Sequence, residues 1–239
     1  MKVVLSLCFI FILGCSFGWV LELIFRRIVH KKWINPGFLT GPCLPIYGTG
    51  VIVLYLICSL DYAFISSPVL KTIFIILLIT VGMSLIEYLT GLFFVKVFNV
   101  RLWDYSDRPG NVQGIICPLF SLIWGAVGAG YYLLLHPHVS AAAGWIADNP
   151  EFSLFVGIYL GVFFVDVVYS FNIVSRMKTF AKEHNFTVRF EEVKLSIRKQ
   201  AEKLKEKTSF IFAFLSEHGL KAELERYRRS KTDKHVSDD

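Results

Sequence analysis

Charge is scarce over most of this chain. Of its 25 Lys and Arg, 9 fall before residue 176 and 16 lie from Arg176 onward, while 18% of all residues are charged and 54% are hydrophobic. A chain that is apolar for about three quarters of its 239 residues and charged in the remainder reads as a membrane protein with a soluble tail. The net charge of +6 then belongs mainly to the tail. It suits an anionic inner leaflet, and nucleic acid is not an expected partner. Cysteine is also sparse. Cys8, Cys15, Cys43, Cys58 and Cys117 form no C-x-x-C and are odd in number, which argues against a disulfide framework or a zinc site and leaves them as packing residues.

Catalytic motifs are missing too. Without a G-x-x-x-x-G-K-[ST] loop the chain cannot hydrolyse ATP by itself in the usual way, and neither H-E-x-x-H nor G-x-S-x-G occurs. His136 and His138 flank a proline in an expected external loop, where a metal pair is the minor reading. Nothing fixes a nucleophile beside the carboxylates of the apolar segments. These absences argue against an enzyme without deciding the question, and no catalytic residue, cofactor or metal ligand is expected.

What the sequence does have is long apolar runs. Five segments, at about residues 3–25, 44–60, 69–97, 115–135 and 152–174, predict an all-α polytopic bundle of about five transmembrane helices. Ile12-Leu13-Gly14-Cys15 resembles a lipoprotein cleavage site, but the apolar run continues past Cys15 and Lys2 alone precedes it, so the first helix is retained. Arg26, Arg27, His30, Lys31 and Lys32 follow the first helix; Lys96, at the end of the third, with Arg101 and Arg108 marks a second internal loop; Arg176 and Lys178 follow the fifth. The connectors 61–68 and 136–151 carry no Lys or Arg. The pattern predicts a multi-pass protein of the bacterial cytoplasmic membrane, N-terminus outside and C-terminus inside. Residues 1–175 form the transmembrane domain in this reading and 176–239 a basic cytoplasmic tail. In the tail Val193, Ile197, Ala201, Leu204, Ile211 and Leu215 recur at helical spacing over 187–229, as in an amphipathic helix lying on protein or lipid. The stretch 230–239 is expected to be disordered.

Asn35-Pro-Gly-Phe-Leu-Thr-Gly-Pro-Cys-Leu-Pro-Ile-Tyr-Gly-Thr-Gly50 packs four Gly and three Pro into sixteen residues. Backbone that cannot be regular helix beside a membrane must satisfy its polar groups in protein or in a watered cavity, and such places are often sites. Gly114 to Gly125 repeats the span Gly37 to Gly48: Gly37 falls on Gly114, Ile46 on Ile123, Tyr47 on Trp124 and Gly48 on Gly125, with Asn35 and Asn111 upstream. Gly18-Trp-Val-Leu-Glu22 and Gly82-Met-Ser-Leu-Ile-Glu87 also echo each other, with unequal spacing. Either helices one and two recur as helices three and four in parallel, or Gly/Pro bias produces the likeness.

Glu22, Glu87 and Asp166 interrupt apolar helices. An ionisable group at mid-membrane costs roughly 2.5 kcal/mol or more and so faces the bundle interior, lining a path or locking helices by a buried hydrogen bond. Glu22 has a further option, pairing with Arg26. Candidate residues of a substrate or ion path are therefore these three, with Asn35, Gly37, Gly41, Pro42, Pro45, Tyr47 and Gly48 of the first loop. Trp103, Asp104, Tyr105, Ser106, Asn111 and Gly114 come from the second. Asp104 and Asp107 could equally balance Arg101 and Arg108.

Gly18-Trp-x-x-Glu22, Asn35-x-Gly-Phe-Leu-x-Gly-Pro-x-x-Pro-Ile-Tyr-Gly-x-Gly50 and Trp103-Asp-Tyr-Ser106 with Asn111-x-x-Gly114 resemble the bacterial membrane family described as "putative ABC-transporter type IV" (CmpB-like). The resemblance covers roughly residues 10–175, and Pro36 stands where the family pattern has Arg. It implies a permease-like subunit in contact with membrane lipid, with a separate ATPase subunit docking on the internal loops or tail, and it allows a homo-oligomer. The two loops would form a cytoplasm-facing polar mouth. The alternative is a membrane-embedded enzyme, or a binding or assembly factor, acting on a lipid-linked substrate. A third reading is a scaffold whose basic tail recruits partners.

Overall fold

The computed structural model describes residues 2–31, 33, 35–183, 187–190, 192–193 and 225. The chain divides into two compact units, residues 1–90 with 105–167 and residues 91–104 with 168–239. Five apolar helical runs dominate, as expected. Lys2–Val29, Pro68–Phe98, Pro118–Asp148 and Pro150–Thr179 are long and apolar enough to cross a membrane, and Pro45–Ser59 is shorter. The amphipathic helix expected over 187–229 and the stretch 230–239 lie almost wholly outside the described residues.

In the first unit, α1 (Lys2–His30) is followed by the Gly/Pro stretch and α2 (Pro45–Ser59). Pro45 starts α2 where a missing N–H does no harm, after Leu44 in extended conformation. At 15 residues α2 is only about 22 Å long, short of a bilayer core of about 30 Å. The Gly/Pro stretch makes up the difference, because the Leu44 N–H donates to the Cys15 carbonyl (3.2 Å), midway along α1. The non-helical segment thus lies against α1, and side chains satisfy much of its backbone.

α3 (Pro68–Phe93) runs into a π-turn, Phe94–Phe98. α4 (Pro118–Gly130) runs through a second π-turn, Tyr131–Leu135, into α5 (His136–Asp148). Here the structure departs from the sequence reading, which ended this helix near residue 135 and expected a loop from His136. Pro137 cannot donate to the preceding turn and its ring would clash with the Leu133 carbonyl; the π-turn widens the helix there and lets it continue. The extension then packs on α1: Ser6 donates to the Ala143 carbonyl (2.7 Å), Ala143 and Ile146 are buried, and Lys2 pairs with Asp148 at 3.0 Å. A short 3-10 turn, Pro150–Phe152, leads to α6 (Ser153–Glu183).

Leu54, Tyr62, Ile75, Ile79, Met83 and Tyr131 form one core cluster of this unit; Cys15, Leu39 and Cys43, packed by Phe11 and Phe163, form another. Outward faces are apolar as well. Leu77, Val81, Leu85 and Leu89, one turn apart along α3, are all more than half exposed, a stripe that suits lipid rather than water.

The second unit contains the small exception to an all-helical chain. β1 (Val100–Arg101) pairs in parallel with β2 (Val188–Arg189), and Val100, Val188, Phe190 and Val193 are buried. Phe94 stacks on Phe171 with ring centroids 6.1 Å apart. Arg189 reaches both Asp104 (2.7 Å) and Glu192 (3.2 Å).

Close approach of α1 and α2 depends on glycine. A Cβ on Gly48 would stand 2.4 Å from Cys15 Sγ and 2.8 Å from the Phe11 carbonyl oxygen, whereas one on Gly157 would meet nothing within 4 Å. Gly48→Val should therefore lower stability by about 1–3 kcal/mol, the range for overpacking. Gly157→Ala should leave the thermal midpoint in detergent at or above wild type; equal midpoints for the two variants would refute this packing.

Candidate functional site

Each of the three membrane carboxylates accepts hydrogen bonds on both of its oxygens. Glu22, on α1, accepts from Arg26 Nε at 3.0 Å on one oxygen and from the Tyr47 hydroxyl at 2.9 Å on the other. Glu87, on α3, accepts from the Tyr105 hydroxyl at 3.0 Å and from Trp124 Nε1 at 3.0 Å. Asp166, on α6, accepts from the Thr40 N–H (3.1 Å), the Thr40 hydroxyl and the Gly41 N–H (2.9 Å).

Glu22 and Glu87 stand at either end of one aromatic contact. The rings of Tyr47 and Trp124 meet edge to face, with centroids 6.2 Å apart. A chain of side chains, Glu22–Tyr47–Trp124–Glu87, thus links α1, α2, α4 and α3.

The packing around this chain follows the internal likeness read from the sequence. Gly37 and Gly114, matched in sequence, both hold the left-handed backbone that glycine tolerates, with φ of 72° and 68°. Gly48 lies against Cys15, seven residues before Glu22; Gly125 lies against Thr80, seven before Glu87, where a Cβ would be 2.7 Å from Thr80 Oγ1. One residue further back the sizes are exchanged. Gly14 of α1 admits Val51 of α2, while Ile79 of α3 is admitted by Gly128 of α4. The same crossing is built twice with the small residue on opposite partners. The likeness is incomplete at the helix starts, since α4 begins at Pro118, one turn before the position matching Pro45.

The first loop is fastened from inside and from α6. Asn35 accepts from Trp19 Nε1 (2.7 Å) and donates to the carbonyls of Leu39 (3.2 Å) and Thr40 (3.0 Å). A Cβ on Gly41 would come within 2.9 Å of Asp166 Oδ2, so the absence of a side chain lets the carboxylate reach the backbone. Pro42 is exposed. In the second loop Asn111 donates to the Ser106 and Arg108 carbonyls (3.1 and 2.8 Å) and accepts from the Gly114 N–H (2.9 Å). Tyr105 stacks on Phe120, centroids 4.3 Å apart. Burial, and after it the charge of Glu87, hold the Tyr105 hydroxyl well above the usual tyrosine pKa, so it stays a donor at neutral pH.

Of the residues singled out in sequence, Glu22, Tyr47, Gly48, Glu87 and Tyr105 come together. Asn35, Gly37, Gly41 and Asp166 gather at the first loop, and Ser106, Asn111 and Gly114 shape the second. Trp103 and Asp104 fall in the other unit, where Asp104 pairs with Arg101 (3.4 Å) and Arg189. Sequence reasoning left out three partners: Trp124, although the match to Tyr47 marks it; Trp19, although it stands in the motif Gly18-Trp-x-x-Glu22; and Thr40, which no motif marks.

A family model described as "Putative ABC-transporter type IV" matches residues 9–171. No curated protein and no solved structure matches the chain.

Asp166→Ala should release the first loop. Cys43, buried beside Cys15 and Leu39, would then react with maleimide about tenfold faster or more in a chain whose other four cysteines are replaced, since removing the carboxylate that accepts three hydrogen bonds from Thr40 and Gly41 takes away about 1–3 kcal/mol of local stability. An unchanged rate would show that Asp166 does not hold the loop closed.

Proposed function

The chain belongs to the family described as "Putative ABC-transporter type IV", and from that premise we propose that it is a permease-like subunit of a transport system in the bacterial cytoplasmic membrane. The polar path opens to the cytoplasm between the two Gly-rich loops. The observation that carries this reading is the Glu22–Tyr47–Trp124–Glu87 chain, which sets two carboxylates and two polar aromatics among apolar helices. Ionisable groups are costly among apolar helices, and two of them at the junction of four helices favour a functional reading.

The orientation rests on basic residues. Arg26, Arg27 and Lys31 lie at the end of α1, Arg101 and Arg108 follow α3, and Arg176 and Lys178 lie towards the end of α6, a bias that supports an inside location for these ends. Asp166 holds the first loop against α6, and α6 continues into the basic tail. A separate ATPase docking on the tail or internal loops would therefore act on that loop through one helix. Lipid contacts the apolar stripes, and a second copy could share them. The alternative, an enzyme or assembly factor for a lipid-linked substrate, would use the same carboxylates as acid and base.

The test is accessibility together with copurification. In a chain without native cysteines, Asp107→Cys should react with a membrane-impermeant thiol reagent in inverted vesicles alone, and Ser140→Cys in intact cells alone. ATPase activity should accompany the full chain drawn from native membranes and be lost when residues 187–239 are removed. Labelling of Asp107→Cys from outside would overturn the cytoplasmic mouth. Absence of any associated ATPase would overturn the subunit assignment.

A further inference from the structure

The two halves of the repeat neutralise their carboxylates differently. Glu22 has its countercharge in the chain. Arg26, one helical turn on, donates from Nε at 3.0 Å, and the two side chains are mostly buried, 22% and 15% exposed. The register that matches Glu22 with Glu87 puts Gly91 where Arg26 stands. Glycine brings no charge.

Glu87 is the more deeply buried of the pair, 5% exposed. Both of its partners are neutral, a phenol and an indole N–H, and among the described residues no Lys, Arg or His forms an ion pair with it. Neutral donors orient a carboxylate and steady its charge, but they do not cancel it. Each carboxylate oxygen also has a second lone-pair position beyond the one its donor occupies.

We infer that Glu87 is the binding carboxylate for a cationic group of the transported solute, a guanidinium or ammonium, which supplies at the second repeat the charge that Arg26 supplies at the first. The inference rests on the transport reading above and sharpens it to a substrate class. Glu22 is then not an equal partner in binding. Its charge is already met within the chain, and it positions Tyr47. Asp166 has a third task, fastening the loop.

The full-length protein, in detergent and in nanodiscs, would be titrated calorimetrically with methylguanidinium and with tetramethylammonium, against sodium chloride at matched ionic strength. Saturable binding of at least one organic cation is expected. Glu87→Gln should weaken it about tenfold or more, as loss of a buried charge partner does. Gly91→Arg, which restores the charge pattern of the first repeat, should block it. Because Gly91 is buried and an arginine there strains the fold, Glu87→Gln with a thermal midpoint at or above wild type is the decisive comparison. Asp107→Asn, in the exposed part of the second loop, should bind as wild type does. Binding unchanged by Glu87→Gln would overturn the inference. So would a wild-type protein that binds neither organic cation. Cation binding at Glu87 without an associated ATPase would leave this site standing and remove the transport assignment; an associated ATPase with binding indifferent to Glu87 would do the reverse.

Discussion

A carboxylate carried into an apolar bundle must be met by donors, and that requirement organises the first unit of this protein. Three helices each bring one. Glu22 draws in Tyr47 and so ties α1 to α2; Glu87 draws in Trp124 and Tyr105 and ties α3 to α4 and the second loop; Asp166 ties α6 to the first loop. Apolar contact alone would not select these pairings, because lipid offers a leucine much the same surroundings as a neighbouring helix does. The hydrogen bonds are directional, and leaving one unmade in hydrocarbon is costly, so they set which helix faces which and at what height.

Glycine makes those hydrogen bonds reachable. Gly48 against Cys15 and Gly125 against Thr80 bring the helix pairs close enough for the aromatic side chains to span from one helix to the carboxylate on the next. Gly41 does the same for Asp166 by leaving its backbone N–H uncovered. Close packing also explains how a 15-residue helix can belong to a bundle of longer ones: α2 begins halfway along α1, and the Gly/Pro segment fills the rest of the depth with backbone satisfied by Asn35, Asp166 and the Cys15 carbonyl.

The twofold likeness of the halves gives the site its asymmetry. Two equivalent carboxylates meet equivalent aromatics, yet one has an arginine a turn away and the other a glycine. The repeat keeps its helix crossings while diverging at the charge-bearing position, so Glu22 has a countercharge one turn away and Glu87 has none there.

Much of this was legible in the residues. Apolar runs long enough for a bilayer, basic residues gathered at certain ends, and Gly-rich stretches matched across the two halves are local properties, and hydrophobic length and glycine's backbone freedom carry them directly into structure. The match of Tyr47 with Trp124 already pointed to equivalent places. The sequence alone did not say what each carboxylate holds. Asp166 stood as a path residue or a lock, and its three donors from Thr40 and Gly41 lie far away along the chain. Nor was the continuation of α5 past Pro137 visible, because a proline reads as a stop until a π-turn relieves it. Composition and periodicity determine which segments are helical and apolar; only tertiary structure decides which donor reaches which carboxylate, since that depends on helix height and rotation, and local sequence encodes neither.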